Sequence, residues 1–202
     1  MKPVRTRLST EARQTEIVGA VLRLAGVRSP GLITTSDIAG AVGLSQGAVF
    51  RHFPTKDAIW LAVMDWVEDQ LLTLLEAAAG NAVAPLPALE AVFMAHVNFV
   101  VAWPGVPRLI FSELQRADDT PVKARVRGLL KRYRQLLMGL LQAAARDELL
   151  ADGLDQAAAA TLFIGSIQGL VMQSMLAGTT DRMVLEAAGT FKLYLRAIGR
   201  PA

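Results

Sequence analysis

Ser45, Gln46, Gly47, Ala48, Arg51 and His52 lie in one short run, and Lys56 follows close behind. A hydroxyl, a carboxamide, a guanidinium and an ammonium so spaced suit hydrogen bonds to nucleic-acid base edges and phosphates. The two small residues let the backbone come close to whatever surface those groups meet. No nucleophile–base pair or metal-ligand set stands among them, and the rest of the chain is as sparse. There is no cysteine and there are two histidines, His52 and His96. Disulfides, thiolate catalysis and cysteine-based zinc sites are therefore excluded. No HExxH, GxSxG or P-loop string occurs. Asp118-Asp119 directly precedes Thr120-Pro121 and reads as helix-capping chemistry. The chain is expected not to be an enzyme and to need no cofactor or metal.

Holding such groups in place takes a rigid frame, which the string TTSDIAGAVGLSQGAVFRHFPTKD (34–57) can build. Thr34 caps a first helix, and Asp37 three positions on partly matches a capping box and suits the positive first turn. Ile38, Ala39, Ala41 and Val42 give that helix an apolar side. Gly43 ends it in the left-handed region, Leu44 plugs the turn and Ser45 caps a second helix. Val49 and Phe53 face inward there, leaving Gln46, Gly47, Ala48, Arg51 and His52 outward. Pro54 stops it and Thr55 caps the next helix. A helix held at an angle by a glycine turn, with a small and polar outer face, has the shape to enter a major groove. A plain helical hairpin with a solvated polar face fits the same pattern.

GLSQGAVFRHFPTKDAIW, preceded by TTSDIAGAVG, closely resembles the signature of TetR-family (tetracycline-repressor-like) transcriptional regulators. The resemblance implies an N-terminal three-helix DNA-binding domain, followed by a longer helical domain that binds a small molecule and dimerises. It assigns DNA contacts to Thr34, Thr35, Ser45, Gln46, Gly47, Ala48, Phe50, Arg51, His52 and Lys56, with Lys56 on a phosphate. The family usually carries tyrosine where this chain has Phe50. The ring is kept, the hydroxyl is lost, and Arg51 offers a replacement phosphate contact.

The charge is uneven along the 202 residues. Those up to residue 60 carry eight Lys/Arg against four acids, and the remainder is nearly neutral, giving +3 in all. A positive head suits phosphate attraction at one end. Arg5 and Arg7 lie in a short basic N-terminal segment that either follows DNA phosphates or is a solvated tail. That segment has no apolar run, so no secretory signal is visible and a cytoplasmic protein is expected.

Helical periodicity extends to the end of the chain, so the expected fold class is all-α. The domains are expected as 1–56 for DNA binding, with the helix-turn-helix at 34–53; 57–80 as a connector helix; and 81–202 for ligand binding and dimerisation. Helices are expected over about 9–27, 55–80, 88–102, 108–115, 121–150, 156–180 and 180–198, with Asn81 to Pro87 as a loop. The basic face of the helix after Pro121 reads as solvated surface.

Gln156 to Thr180 carries no charge, and Gly165 and Gly169 fit GxxxG. Its Gln, Ser and Thr residues favour a helix packed on its own core and on a partner subunit over a membrane span. The resemblance implies a homodimer through the two C-terminal helices. It also places His96, Phe99, Trp103, Phe111, Met138, Gln142, Phe163, Gln168 and Met172 on helices arranged around a pocket. Each of these also reads as ordinary core. As a lining, they favour an apolar or aromatic effector. The expected function is a repressor released from a palindromic double-stranded operator by a small molecule. A constitutive dimeric DNA-binding protein, an activator and a helical interaction scaffold are the alternatives.

Overall fold

A computed structural model describes residues 9–200, all-helical apart from turns and one isolated bridge; the basic segment with Arg5 and Arg7 lies outside that range. The helices are α1 (Thr10–Val27), α2 (Thr35–Ala41), α3 (Gln46–His52), α4 (Lys56–Gly80), α5 (Pro85–Ala102), α6 (Gly105–Leu114), α7 (Pro121–Arg146), α8 (Gln156–Ala177) and α9 (Met183–Ile198), with a short 3₁₀ turn at Pro30–Leu32.

Caps set most of the helix starts. Ser9 Oγ accepts from the Ala12 amide at 3.1 Å, and Thr55 Oγ1 from the Ala58 amide at 3.0 Å. Asp155 accepts from the amides of Ala157 and Ala158 at the head of α8. Thr120 Oγ1 accepts from the Lys123 amide at 3.1 Å. Two helices begin earlier than expected, and proline chemistry explains both. Pro85 and Pro87 sit in the first turn of α5, as Pro107 does in α6. Amides there have no intrahelical acceptor, so losing them breaks nothing.

The chain divides into two compact units that are not consecutive segments. The first takes residues up to Val67 together with Trp103–Arg125; the second takes Glu68–Ala102 and everything from Val126. The expected division at residues 56 and 80 differs because α6 and the start of α7 pack with the N-terminal helices. In the first unit, Ile17, Val21, Leu22 and Ala25 of α1 are buried with Ile38, Val49 and Ile59. α6 also lies on α1, at a contact set by Gly105. A β-carbon there would stand 2.2 Å from the Leu22 carbonyl oxygen and 2.9 Å from the Gly26 nitrogen. Trp66 and Trp103 meet edge to face at 4.8 Å.

The second unit is built on α5, α8 and α9, with Phe163 fully buried at its centre. Phe93 meets Phe163 at 5.2 Å and Phe191 at 5.3 Å between ring centres, and Tyr194 meets Phe163 at 5.4 Å. Backbone bonds from Ala151 N to Ile198 O and from Arg200 N to Leu149 O hold the end of α9 to the α7–α8 connection. α5 and α8 are each long and apolar enough to cross a membrane. α5 buries Leu89, Val92, Phe93 and Val97 within the unit. α8 buries one side and leaves Leu162, Met172 and Leu176 exposed.

Candidate nucleic-acid interface

The α2–α3 hairpin forms because its ends are chemically closed. The Thr34 hydroxyl accepts from the Asp37 amide at 3.1 Å, and the Asp37 carboxylate accepts from the Thr34 amide at 2.9 Å. The Thr34 hydroxyl donates to the same carboxylate at 2.7 Å, and this bond, with the Thr34 amide and Arg28 at 2.9 Å, holds the Asp37 carboxyl far below the usual carboxylate range. Gly43 takes φ +63°, and Leu44 N donates to Ala39 O at 2.9 Å, turning the chain into α3. Ser45 Oγ then accepts from the Ala48 amide at 3.2 Å. At the far end, Gln14 of α1 donates from Nε2 to the His52 carbonyl at 3.1 Å.

This frame presents Ser45, Gln46, Gly47, Phe50 and Arg51 to solvent, Phe50 being 40 % exposed. Arg51 makes no hydrogen bond or ion pair among the described residues, so its guanidinium is available to a partner. Lys56 is half-buried, its ammonium 5.4 Å from the centre of the Trp60 ring at the start of α4.

Three sequence assignments change. Ala48, expected outward, is buried beside Val49, because a helix this short against α1 turns more than one residue inward per turn. Thr35 is buried, whereas Thr34 is exposed with its hydroxyl spent on the cap. His52 is half-buried, and its Nδ1 is enclosed with no partner among the described residues. Gln14, which fixes the end of α3, was missed because nothing in its neighbours marks a contact 38 positions away.

The nine residues expected around a pocket are shared between the two units. Trp103 and Phe111 belong to the first unit and the other seven to the second. Phe163 and Phe99 are core. Gln168 and Met172 are exposed on α8, while Met138 and Gln142 border an open hollow along α7 beside Lys131 and Arg134. Helical spacing marks a buried stripe whether it faces core or cavity, so it could not separate these cases.

His96 has its own surroundings. Its Nδ1 lies 3.2 Å from the Tyr133 hydroxyl, and burial of the ring lowers its pKa to about 4. Burial likewise pushes the Tyr133 and Tyr194 hydroxyls well above their usual value. The unfolded imidazole titrates near 6.5. Between that value and about 4 the unfolded chain binds the extra proton, so His96 weakens the fold as pH falls through this window, by up to about 3 kcal/mol. Above it the contribution is complete. Urea titrations from pH 7 to 4.5 should show the native chain losing more stability than His96→Gln; equal slopes would refute this.

Residues 17–63 match the family of bacterial regulatory proteins described as tetR family, and residues 110–188 match the tetracyclin repressor-like C-terminal domain. The nucleoid occlusion factor SlmA of Idiomarina loihiensis is 25 % identical over 161 residues, covering 80 % of this chain and 82 % of that protein. Among solved structures, the regulator FadR of Bacillus subtilis, in complex with stearoyl-CoA, superimposes with a TM-score of 0.79 at 18 % identity, covering 91 % of this chain and 98 % of that one. The ketosteroid regulator KstR2 of Mycobacterium tuberculosis gives a TM-score of 0.76 at 16 % identity, covering 98 % of this chain and 100 % of that one. With helix-turn-helix and C-terminal helical regions both matched, in order and on an all-helical fold, the chain belongs to the TetR family of DNA-binding transcriptional regulators.

Proposed function

We propose that the chain is a cytoplasmic homodimer without enzymatic activity, acting as a repressor that a small apolar or aromatic effector releases from a palindromic operator. The observation that carries this is the outer face of α3, where Gln46, Gly47 and Arg51 stand exposed on a helix fixed at both ends by Ser45 and Gln14. Two such helices, about 34 Å apart, read successive major grooves. An effector that prefers one dimer state shifts operator affinity by its difference in affinity between states. Selection of bound fragments from genomic DNA tests the reading, since a scaffold without DNA affinity enriches nothing. Phe50→Tyr restores a hydroxyl at an exposed ring and should tighten operator binding about fivefold by one added phosphate bond; unchanged affinity in fluorescence anisotropy would place that ring away from the backbone.

The dimer surface we assign is the exposed side of α8 and α9. Leu162, Gly165, Gly169, Met172 and Leu176 recur at helical spacing on α8, and Leu185, Gly189 and Leu193 on α9. Leu176 is 82 % exposed and Leu185 74 %, a stripe that needs a cover. Two helices from each chain make a four-helix contact. Leu185→Glu combined with Leu193→Glu should leave the protomer folded by circular dichroism and convert the dimer to monomer in sedimentation equilibrium. A variant that stays dimeric would move the interface elsewhere.

A constitutive DNA-binding protein without an effector is the second reading, favoured by the exposure of Gln168 and Met172 on α8. Thermal-shift screening with small molecules separates the two, because a true ligand raises stability by mass action.

A further inference from the structure

The first unit contains a cleft of about 300 Å³ bordered by the 3₁₀ turn, α4, α6 and the start of α7. That volume is at the lower end of small-molecule sites, roughly 300–1,000 Å³. We infer that this cleft binds an amphipathic amine, a protonated nitrogen carried on a compact apolar body. The inference rests on the effector reading above and gives the effector a place and a chemical class.

Glu113 sets the class. The residue is 9 % exposed and lines the cleft. It accepts a hydrogen bond from the Thr120 hydroxyl. Its nearest cation is Arg116, whose guanidinium stays 3.8 Å away and is shared with Asp118 at the same distance. An ionised carboxylate has about four lone-pair sites, so Glu113 retains room for an incoming N–H donor. At a residue this buried such a bond is charge-assisted and strong.

The apolar wall fits the rest of such a ligand. Met64, Leu109 and Val122 line it beside the Trp60 ring. The Lys56 ammonium already stands against that indole, so the ring face accepts a cation. An anionic ligand meets the opposite. Its charge would face Glu113 and Asp57, while the bordering Arg116 is shared between Glu113 and Asp118.

The position links the cleft to DNA. Pro30 and Gly31 precede α2, and Lys56 and Asp57 follow α3, so an occupant touches the chain on both sides of the reading hairpin. Whatever the occupant does to operator affinity, the operator does equally to the occupant.

Calorimetry with 2-(naphthalen-2-yl)ethylamine, its isosteric alcohol 2-(naphthalen-2-yl)ethanol and the acid 3-(naphthalen-2-yl)propanoate tests the class. The amine should bind about tenfold tighter than the alcohol or more, and tighter still than the acid. Glu113→Gln keeps a carbonyl for Thr120 and should abolish the amine's advantage. In the native chain labelled with 5-fluorotryptophan, the amine should move the Trp60 resonance, assigned by its loss in Trp60→Phe. Equal binding of alcohol or acid, an unchanged preference in Glu113→Gln, or a shift confined to Trp66 and Trp103 would overturn the assignment. Operator titration without amine reports on DNA binding separately. A chain that binds duplex but no amine refutes the cleft alone, and one that takes the amine but ignores every duplex refutes only the DNA reading.

Discussion

Gly105→Ala should destabilise the first unit by about 3 kcal/mol, at the upper end of overpacking costs. The added methyl would lie 2.2 Å from the Leu22 oxygen, 2.9 Å from the Gly26 nitrogen and 3.1 Å from the Ala25 β-carbon. Two of those three atoms are backbone, so no rotamer change relieves the overlap. Either α6 withdraws from α1 or the α1 backbone bends. The α1 face that would be uncovered includes Leu22 and Ala25, both buried, so withdrawal adds a cavity to the strain. A lower urea midpoint with unchanged helical content is the expected signature. Gly40→Ala, on α2 of the same unit, is the matched control, because its β-carbon meets nothing within 4 Å. That change should leave protomer stability level or raise it by up to about 1 kcal/mol through helix propensity. A midpoint for Gly105→Ala equal to the native one would show that α6 does not hold α1 through this contact.

The double variant Arg51→Ala, Lys56→Ala should lose most of its DNA affinity at low salt and much less at high salt. Each phosphate contact releases condensed counterions and contributes about 0.9 to the slope of log affinity against log salt. Losing two contacts should therefore flatten the slope by about 1.8. The magnitude matters more than the direction, because a fold defect lowers affinity without changing the slope of the folded fraction. Arg51 is exposed at the end of α3, so its removal leaves the core intact. Lys56 also stands over Trp60, and Lys56→Met keeps that packing while removing the charge. An unchanged slope in both variants would assign these side chains to something other than phosphate.

The reading head was legible because short-range chemistry governs it. Thr34 with Asp37, Ser45, Thr55 and Gly43 act through atoms within a few residues, and each does what its type and spacing imply. What was not legible depends on partners distant in sequence. Ala48 and Thr35 are turned inward by the surfaces they pack against, which local periodicity does not specify. Prolines read as breakers proved to be first-turn residues of α5 and α6, because the same missing amide serves both roles. Glu113 takes its hydrogen bond from Thr120, seven residues on, and no local spacing rule marks that pairing. Phe163 and His96 matched a pocket pattern equally well as a core pattern, and neighbours contributed by other helices decided between them.

The return of Trp103–Arg125 to the N-terminal helices has a consequence during synthesis. A nascent chain emerging from the ribosome can form α2 and α3 early, yet the surface of α1 stays wet until Gly105 has been translated. The amino-terminal unit therefore cannot finish folding as a vectorial, first-out module. Its completion waits on a loop whose closure spans most of a hundred residues, and a prematurely terminated transcript yields a head with an unsealed flank.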